Sequence, residues 1–361
     1  MNENRKIFRF LKDHTILYLL IKEPAKIVLD FPKMLKVIDS PSYFPEKEWK
    51  TRLVRFAENT AWLLKYHEAN CFYNLYGLDI KEKADADTYV DYLSFMRSRD
   101  RANKTKDCWD NQAVLLRDKH LFYKYMKANG LSVPEVFAVT ENGRLFNSEF
   151  EEIPIDSLSE QKDYFVKDQK GECGSFVVHV KDFDDFTAKW EQIRQRTCIF
   201  QKSIKQSREM DVINSGAINT LRIVTVNKNG KVYVLSAILR VGTQKTGNVD
   251  NWAKGGLAVG VRDDGYLKQF GFYKPGYGLK TDVHPDSGVK FSEFKVPQWE
   301  EACEAAVRAH RTLHGIGSIG WDIAITDDGP CFIEGNDNWE ISLNQGADRG
   351  LKKDWLEATG E

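Results

Sequence analysis

The sequence predicts an α+β protein with a mainly helical N-terminal region. Three observations carry this. Apolar residues recur at three- and four-residue spacing through the first part of the chain: Ile7, Phe10, Leu11, Leu17, Leu20 and Ile21, then Leu53, Phe56, Ala57, Ala61 and Leu64. Asn229-Gly230 separates two β-branched, apolar runs, residues 219–226 and 231–240, a firm antiparallel hairpin signal. Asp327-Asp328-Gly329 separates residues 319–326 from 331–334 by the same kind of turn chemistry.

The chain has 361 residues, enough for two or three packed units with a large core. A net charge of −1 gives no electrostatic case for nucleic acid. The six cysteines (Cys71, Cys108, Cys173, Cys198, Cys303, Cys331) are scattered and form no CxxC. That pattern suits buried free thiols in a reducing cytosol rather than a disulfide framework or a zinc site. No signal-peptide pattern is expected at the start, and the apolar run 16–21 is too short to span a bilayer. A cytoplasmic protein is therefore expected.

In residues 1–50, Pro24, Pro32 and Pro41 are predicted to cut the helical region into short pieces. These pieces are expected to pack on the main body. Lys22, Lys26, Lys33 and Lys36 interleave with apolar residues, which also suits a surface resting on a membrane or a partner. Residues 51–100 are predicted to continue as helix. The composition shifts near 104–111. A helix follows over 115–129, with Asp118-Lys119 inside it and Gly130 ending it, then a strand over 136–140.

Residues 164–180, YFVKDQKGECGSFVVHV, read as a strand with Lys167, a loop with Gly171, Gly174 and Ser175, and a returning strand. Glycines in such a loop let backbone N–H groups approach phosphate oxygens, and a preceding Lys adds a point charge. An innocent hairpin turn has the same look. Residues 198–204, CIFQKSI, form a strand breaking into polar chain, a hinge suited to a nucleobase with Glu209 in reach of a ribose hydroxyl, or else an ordinary loop. Asn219 and Arg222 are polar intrusions in one strand, and Arg240 ends its partner. A guanidinium fork there suits phosphate or carboxylate, and an edge-strand ion pair is the plainer alternative.

Gly255-Gly256, after Asn251, reads as a loop able to close over a reacting carboxylate. Residues 271–290 read as a long irregular loop with the character of a lid, and His284 is its one histidine. An amphipathic helix over 297–313 leads into GWDIAITDDGPCFIEGNDN, residues 320–338. A three-residue loop pairing Thr326 with Pro330 would set Asp322 opposite Glu334. Alternation along the strands then puts Asp322, Glu334 and Asn336 on one side. Two carboxylates and an amide oxygen suit Mg²⁺, which takes one or two protein carboxylates and leaves other positions to water and phosphate. A solvated acidic turn is the alternative.

Taken in order, these parts resemble the ATP-grasp fold, and within it the sugar-transfer-associated branch linked to polysaccharide biosynthesis. The segments that carry the resemblance are DKHLFYKYMKANGLSVPEVF, FVKDQKGECGSFVV, INTLRIVTV, VDNWAKGGLAVGV, HPDSG and IGWDIAITDDGPCFIEGNDNWE, within residues 111–345. The resemblance implies two α+β subdomains gripping ATP between antiparallel sheets, at 106–205 and 206–361, after a helical region at 1–105. It places Lys119, Lys167 and the Gly171, Gly174 and Ser175 loop on ATP phosphates. Gln201, Lys202 and Ile204 would meet adenine, with Glu209 near the ribose. Asp322, Glu334 and Asn336 would carry Mg²⁺, and Arg222 and Arg240 the γ-phosphate or an acyl phosphate. Asn219, Asn251, Gly255, Gly256 and His284 are the substrate candidates. Two departures stand out. Several family members have Arg two residues before the metal Asp, where this chain has Gly320, and the hinge has Gln201-Lys202 where Glu is often second.

The implied activity is ATP- and Mg²⁺-dependent joining of a carboxylate to an amine through an acyl phosphate. A sugar acid or amino acid, free or as a nucleotide- or lipid-linked sugar, is the implied substrate. The cytoplasmic face of a membrane is the implied location, with residues 1–50 as the contact. A kinase acting on a hydroxyl, and a non-catalytic nucleotide-binding module, are the alternatives.

Overall fold

The computed structural model describes residues 15–82, 85–103, 112–171, 176–244, 250 and 252–360. Helix α1, Thr15–Ile38, runs unbroken through Pro24 and Pro32, against the expectation that prolines divide it. A helix interior loses one hydrogen bond at each Pro, but packing outweighs it here. Met34 and Ile38 bury one face against Leu63 and Ala69. Helix α2, Arg52–Tyr66, starts at Thr51, whose hydroxyl accepts from the Val54 N–H.

Helix α2 is turned away from most of its predicted apolar stripe, of which only Phe56 packs inward, on the Met34 and Leu63 cluster. Asn59, Trp62 and Leu63 face inward, while Leu53, Ala57, Ala61 and Leu64 face solvent, Leu53 being 78% exposed. Trp62 and Leu63 offer a larger apolar surface than the alanines, and Trp62 packs on Tyr66 at 4.5 Å between ring centroids. Residues 67–91 are mostly turns, not helix. They bring Tyr73, Tyr76 and Tyr89 into a core with Ile238, Ala258 and Phe272. Helix α3, Tyr92–Ala102, follows, capped by Asp91.

The single helix predicted over 115–129 is two: α4, Val114–Arg117, and α5, Lys119–Ala128. Asp118 breaks it, in extended conformation (φ −97°, ψ 110°), because its carboxylate accepts from the N–H groups of His120 and Leu121. Lys119 thereby opens a helix instead of lying within one.

Five strands form the first sheet: β1, Val136–Glu141; β2, Arg144–Asn147; β3, Tyr164–Asp168; β4, Val177–Val180; and β5, Cys198–Lys202. Their order is β2-β1-β5-β3-β4, antiparallel throughout. Helix α6, Phe183–Ile193, buries Phe186 and Ile193 against it.

After the short α7, Arg208–Asp211, come β6, Thr220–Lys228; β7, Lys231–Val241; β8, Leu257–Val261; β9, Leu267–Tyr273; and β10, Lys280–Thr281. Helix α8, Trp299–Thr312, precedes β11, Ser318–Thr326, and β12, Gly329–Asn336. The second sheet has the order β10-β9-β8-β7-β6-β11-β12. Strand alternation gives it two faces. Leu221, Ile223, Leu239, Trp321 and Ile323 pack with Ala302, Ala306 and Ala309 of α8. Val224 and Val226 instead meet Phe95, Trp339 and Trp355. The chain closes with α9, Ile341–Ala347, and α10, Lys352–Thr359.

The β11–β12 turn is tighter than expected. Thr326 pairs with Gly329 and Ile325 with Pro330, so the loop has two residues. A bulge between Ile323 and Asp322 then adds one residue to β12 and restores the pairing of Asp322 with Glu334. Residues 271–290 are not a free lid. They supply the end of β9 and all of β10. The Tyr43 hydroxyl donates to the Tyr273 carbonyl at 3.1 Å and the Ser287 hydroxyl to the Ile213 carbonyl at 2.8 Å. Among the described residues, no helix is long and apolar enough to cross a membrane.

Candidate functional site

Three adjacent strands place three charges in one row. Arg222 on β6 lies directly opposite Asp322 on β11, which lies directly opposite Glu334 on β12. Thr220 is two residues from Arg222 and so on the same face, and Arg240 on β7 is opposite Thr220. This is the face away from α8.

The Arg222 guanidinium holds both oxygens of Asp322, at 2.5 and 3.0 Å. Arg240 reaches the same carboxylate at 3.0 Å. It also donates to the Thr220 hydroxyl at 2.9 and 2.7 Å and lies 3.5 Å from Asp250. Thr220 in turn donates to Asp250. Burial pushes the Asp322 carboxyl up, but the two guanidinium groups outweigh it and hold the group well below the usual carboxylate range. Burial, then the neighbouring Asp322, pushes Glu334 the other way. Burial likewise raises Asp250 against the pull of Arg240.

A cleft between the two sheets meets this row at Glu334. Its walls include Lys119, Phe122, Lys167, Gly171, Phe176, Gln201, Ile333 and Glu334. The β12 bulge explains why two consecutive residues, Ile333 and Glu334, both line it. Lys167 donates to Gln201 at 2.7 Å, and Lys119 to the Gly171 carbonyl. Burial lowers Lys167 to about 8, with Glu334 opposing and Lys119 adding to the shift.

The two lysines, Gly171, Gln201, Glu334, Asp322, Arg222 and Arg240 are thus brought together. Gly174, Ser175 and Asn251 lie outside the described residues. Lys202 points away, paired with Glu135 at 2.7 Å. Ile204 is half-buried in the extended segment after β5, and Glu209 is exposed on α7. Gly255 has φ +96°, and Gly256 sits where a Cβ would lie 3.0 Å from the Asp250 carbonyl oxygen, so both hold the chain that presents Asp250.

Two substrate candidates have their polar atoms engaged inside the protein. Asn219 is fully buried, and its amide donates to Gln206 at 3.0 Å and to the Asn214 carbonyl at 2.8 Å. His284 is 1% exposed, with Nε2 2.9 Å from the Gly242 carbonyl and Nδ1 3.1 Å from the Ser287 hydroxyl. Both side chains are spent on fastening loops.

The sequence reading passed over four residues. Asp250 is next to the Asn251 it chose. Thr220 follows Asn219. Asp337, 1% exposed, is gripped by Arg117 at 3.0 and 2.6 Å. Asp118 accepts from Gln169 at 2.9 and 2.8 Å, and the Lys119 N–H donates to the Gln169 carbonyl at 2.9 Å. Together these tie the start of α5 to the end of the β11–β12 hairpin on one side and to the Gly171 loop on the other. The GNDN run after Glu334 was the available signal for Asp337.

Among the described residues, no three His, Cys, Asp or Glu side chains gather as a metal cluster. The donor set at hand is Asp322, Glu334 and Asn336, whose amide nitrogen donates to the Gly320 carbonyl and to Glu334, both at 3.3 Å. It is the nitrogen, not the oxygen, that makes those bonds. Two carboxylates and an amide oxygen fit Mg²⁺ provided that phosphate oxygens complete the shell.

Residues 190–360, just under half of the chain, match the family model described as sugar-transfer associated ATP-grasp. Over that segment the chain is similar to the sugar-transfer-associated ATP-grasp family. The ATP-grasp segment includes β6 to β12 and so the whole Arg222–Asp322–Glu334 row. No curated protein matches the chain. Among solved structures it is similar to the biotin carboxylase domain of the Hydrogenobacter thermophilus 2-oxoglutarate carboxylase (15% identity, TM-score 0.41), covering 68% of this chain and 46% of that one. It is also similar to D-alanine–D-alanine ligase from Helicobacter pylori (11% identity, TM-score 0.43), covering 69% of this chain and 61% of that one. The chain thus matches less than two thirds of the length of either.

Proposed function

We propose that this protein is an ATP- and Mg²⁺-dependent ligase that joins a carboxylate to an amine through an acyl phosphate, releasing ADP and phosphate. One observation supports this above the rest. Two lysines from different elements, one helical and one on a strand, line the same cleft as Glu334, and Glu334 pairs with a carboxylate already held by two arginines. Lys119 and Lys167 would neutralise ATP phosphates. Asp322, Glu334 and Asn336 would hold Mg²⁺, which supplies charge neutralisation and in-line orientation when bound. The Arg222 and Arg240 forks suit a phosphoryl group in transfer and the carboxylate that receives it. Burial of the row keeps water away from an acyl phosphate.

The sugar-transfer association of the matching family is compatible with substrates from polysaccharide assembly, and a sugar acid or amino acid suits two buried arginines. The test is nucleotide chemistry. With ATP, Mg²⁺ and candidate carboxylate and amine pairs, ADP and free phosphate form in equal amounts. AMP and pyrophosphate overturn the reading, and a stable phosphorylated product without free phosphate replaces it with a kinase.

A further inference from the structure

Both oxygens of Asp322 are engaged. Arg222 takes both, and Arg240 shares Oδ2. A dication joining that carboxylate while both guanidinium groups remain on it crowds three like-charged groups around one buried anion, which costs electrostatic energy. Withdrawal of one arginine relieves that crowding, and a buried arginine withdraws most readily toward a second anion. The two are not equivalent. Arg222 is fixed straight across the strand ladder from Asp322. Arg240 comes from β7, one strand further away, and already stands between two carboxylates, 3.0 Å from Asp322 and 3.5 Å from Asp250. Thr220 bridges the second pair, accepting from Arg240 and donating to Asp250.

We infer that Asp250 is a positioning residue for the metal. It receives Arg240, through Thr220, when Asp322 turns to a divalent cation, and so decides whether the metal site opens. This rests on the proposed nucleotide–metal reading of the same cleft. Asp250 touches neither metal nor nucleotide. It acts through Arg240.

The test uses the full chain, Mn²⁺ as the probe and ADP as the nucleotide, with Mn²⁺ binding followed by electron paramagnetic resonance. ADP has no γ-phosphate, so Arg240 has no phosphoryl contact to lose. The parent binds Mn²⁺ with ADP present. Asp250→Asn keeps an acceptor for Thr220 but removes the charge, and Mn²⁺ affinity falls about 10–100-fold, the usual scale for outer partners of metal ligands. Adding Arg240→Met to Asp250→Asn removes the competitor and restores affinity toward the parent. Arg240→Met alone binds Mn²⁺ at least as well as the parent. Thermal unfolding confirms that each variant is folded. Unchanged Mn²⁺ affinity in Asp250→Asn overturns the inference, as does a double variant no better than Asp250→Asn. Absence of Mn²⁺ binding in the parent with ADP is a different result: it overturns the site assignment itself, and this inference with it.

Discussion

A Cβ placed on Gly320 would lie 2.6 Å from the Cβ of Trp339. Trp339 is 1% exposed and fills the space beside β11 at Gly320. Arg222 on the neighbouring strand adds to the crowding, its Cδ lying 3.4 Å from the same point. Gly320→Ala is therefore expected to destabilise the fold by about 1–3 kcal/mol, the usual cost of overpacking, measured by urea unfolding. Gly320→Arg is expected not to fold. A Gly320→Ala variant as stable as the parent shows that Trp339 can yield.

Lys119 and Lys167 lie far apart in sequence but on one cleft. Lys119→Met and Lys167→Met each weaken binding of a non-hydrolysable ATP analogue, and their combined effect is less than additive, because groups sharing one ligand couple. Calorimetric titration measures it. Parent-like binding by Lys119→Met returns that residue to ordinary solvated helix surface.

Lys167 has a second, pH-dependent signature. Burial lowers it to about 8 in the free protein, and a bound triphosphate raises it again. Binding at pH 8.5 to 9 therefore takes up a proton, and affinity weakens as pH climbs above about 8. Titration in buffers of different ionisation enthalpy detects the uptake, which Lys167→Met abolishes.

Glu334→Gln keeps the shape of the row and removes a charge. ADP formation is expected to fall by about 10²–10³-fold, the scale of losing one preorganised electrostatic contact. Thermal stability without nucleotide holds or rises, because Glu334 faces Asp322 and each carboxylate opposes the charge of the other. Full activity removes Glu334 from the machinery.

His310 carries a stability signal independent of the site. It is fully buried, with Nδ1 2.7 Å from the Thr225 hydroxyl and Nε2 2.8 Å from the Ile316 carbonyl. Burial lowers it to about 4 from an ordinary 6.5. Between those values the unfolded chain binds a proton that the folded one refuses. Stability is thus fully present above about pH 6.5 and is lost as pH falls toward 4, by on the order of 3 kcal/mol. Unfolding curves at pH 7 and pH 4.5 show the loss, and His310→Gln flattens it.

Much was legible in sequence because short-range rules govern it. The Asn229-Gly230 hairpin and the two Arg-bearing strands follow from turn chemistry and a two-residue period, which neighbours in the chain determine. The described parts of the candidate site, Lys119, Lys167, Gly171, Arg222, Arg240, Asp322 and Glu334, were nameable because charged residues in strands and beside glycines are conspicuous. Tertiary structure decided the rest. Packing against α2 carried α1 through two prolines, and Trp62 turned α2 so that most of its apolar stripe faces outward. A bulge, not a longer loop, restored the Asp322 register. Asn219 and His284 went to fastening loops, while Asp250 and Thr220 joined the arginines. Local sequence determines what a strand or turn can be. Which polar group meets which charge depends on strands up to a hundred residues apart lying side by side, as Arg222 and Asp322 do, and no window of the chain contains that distance.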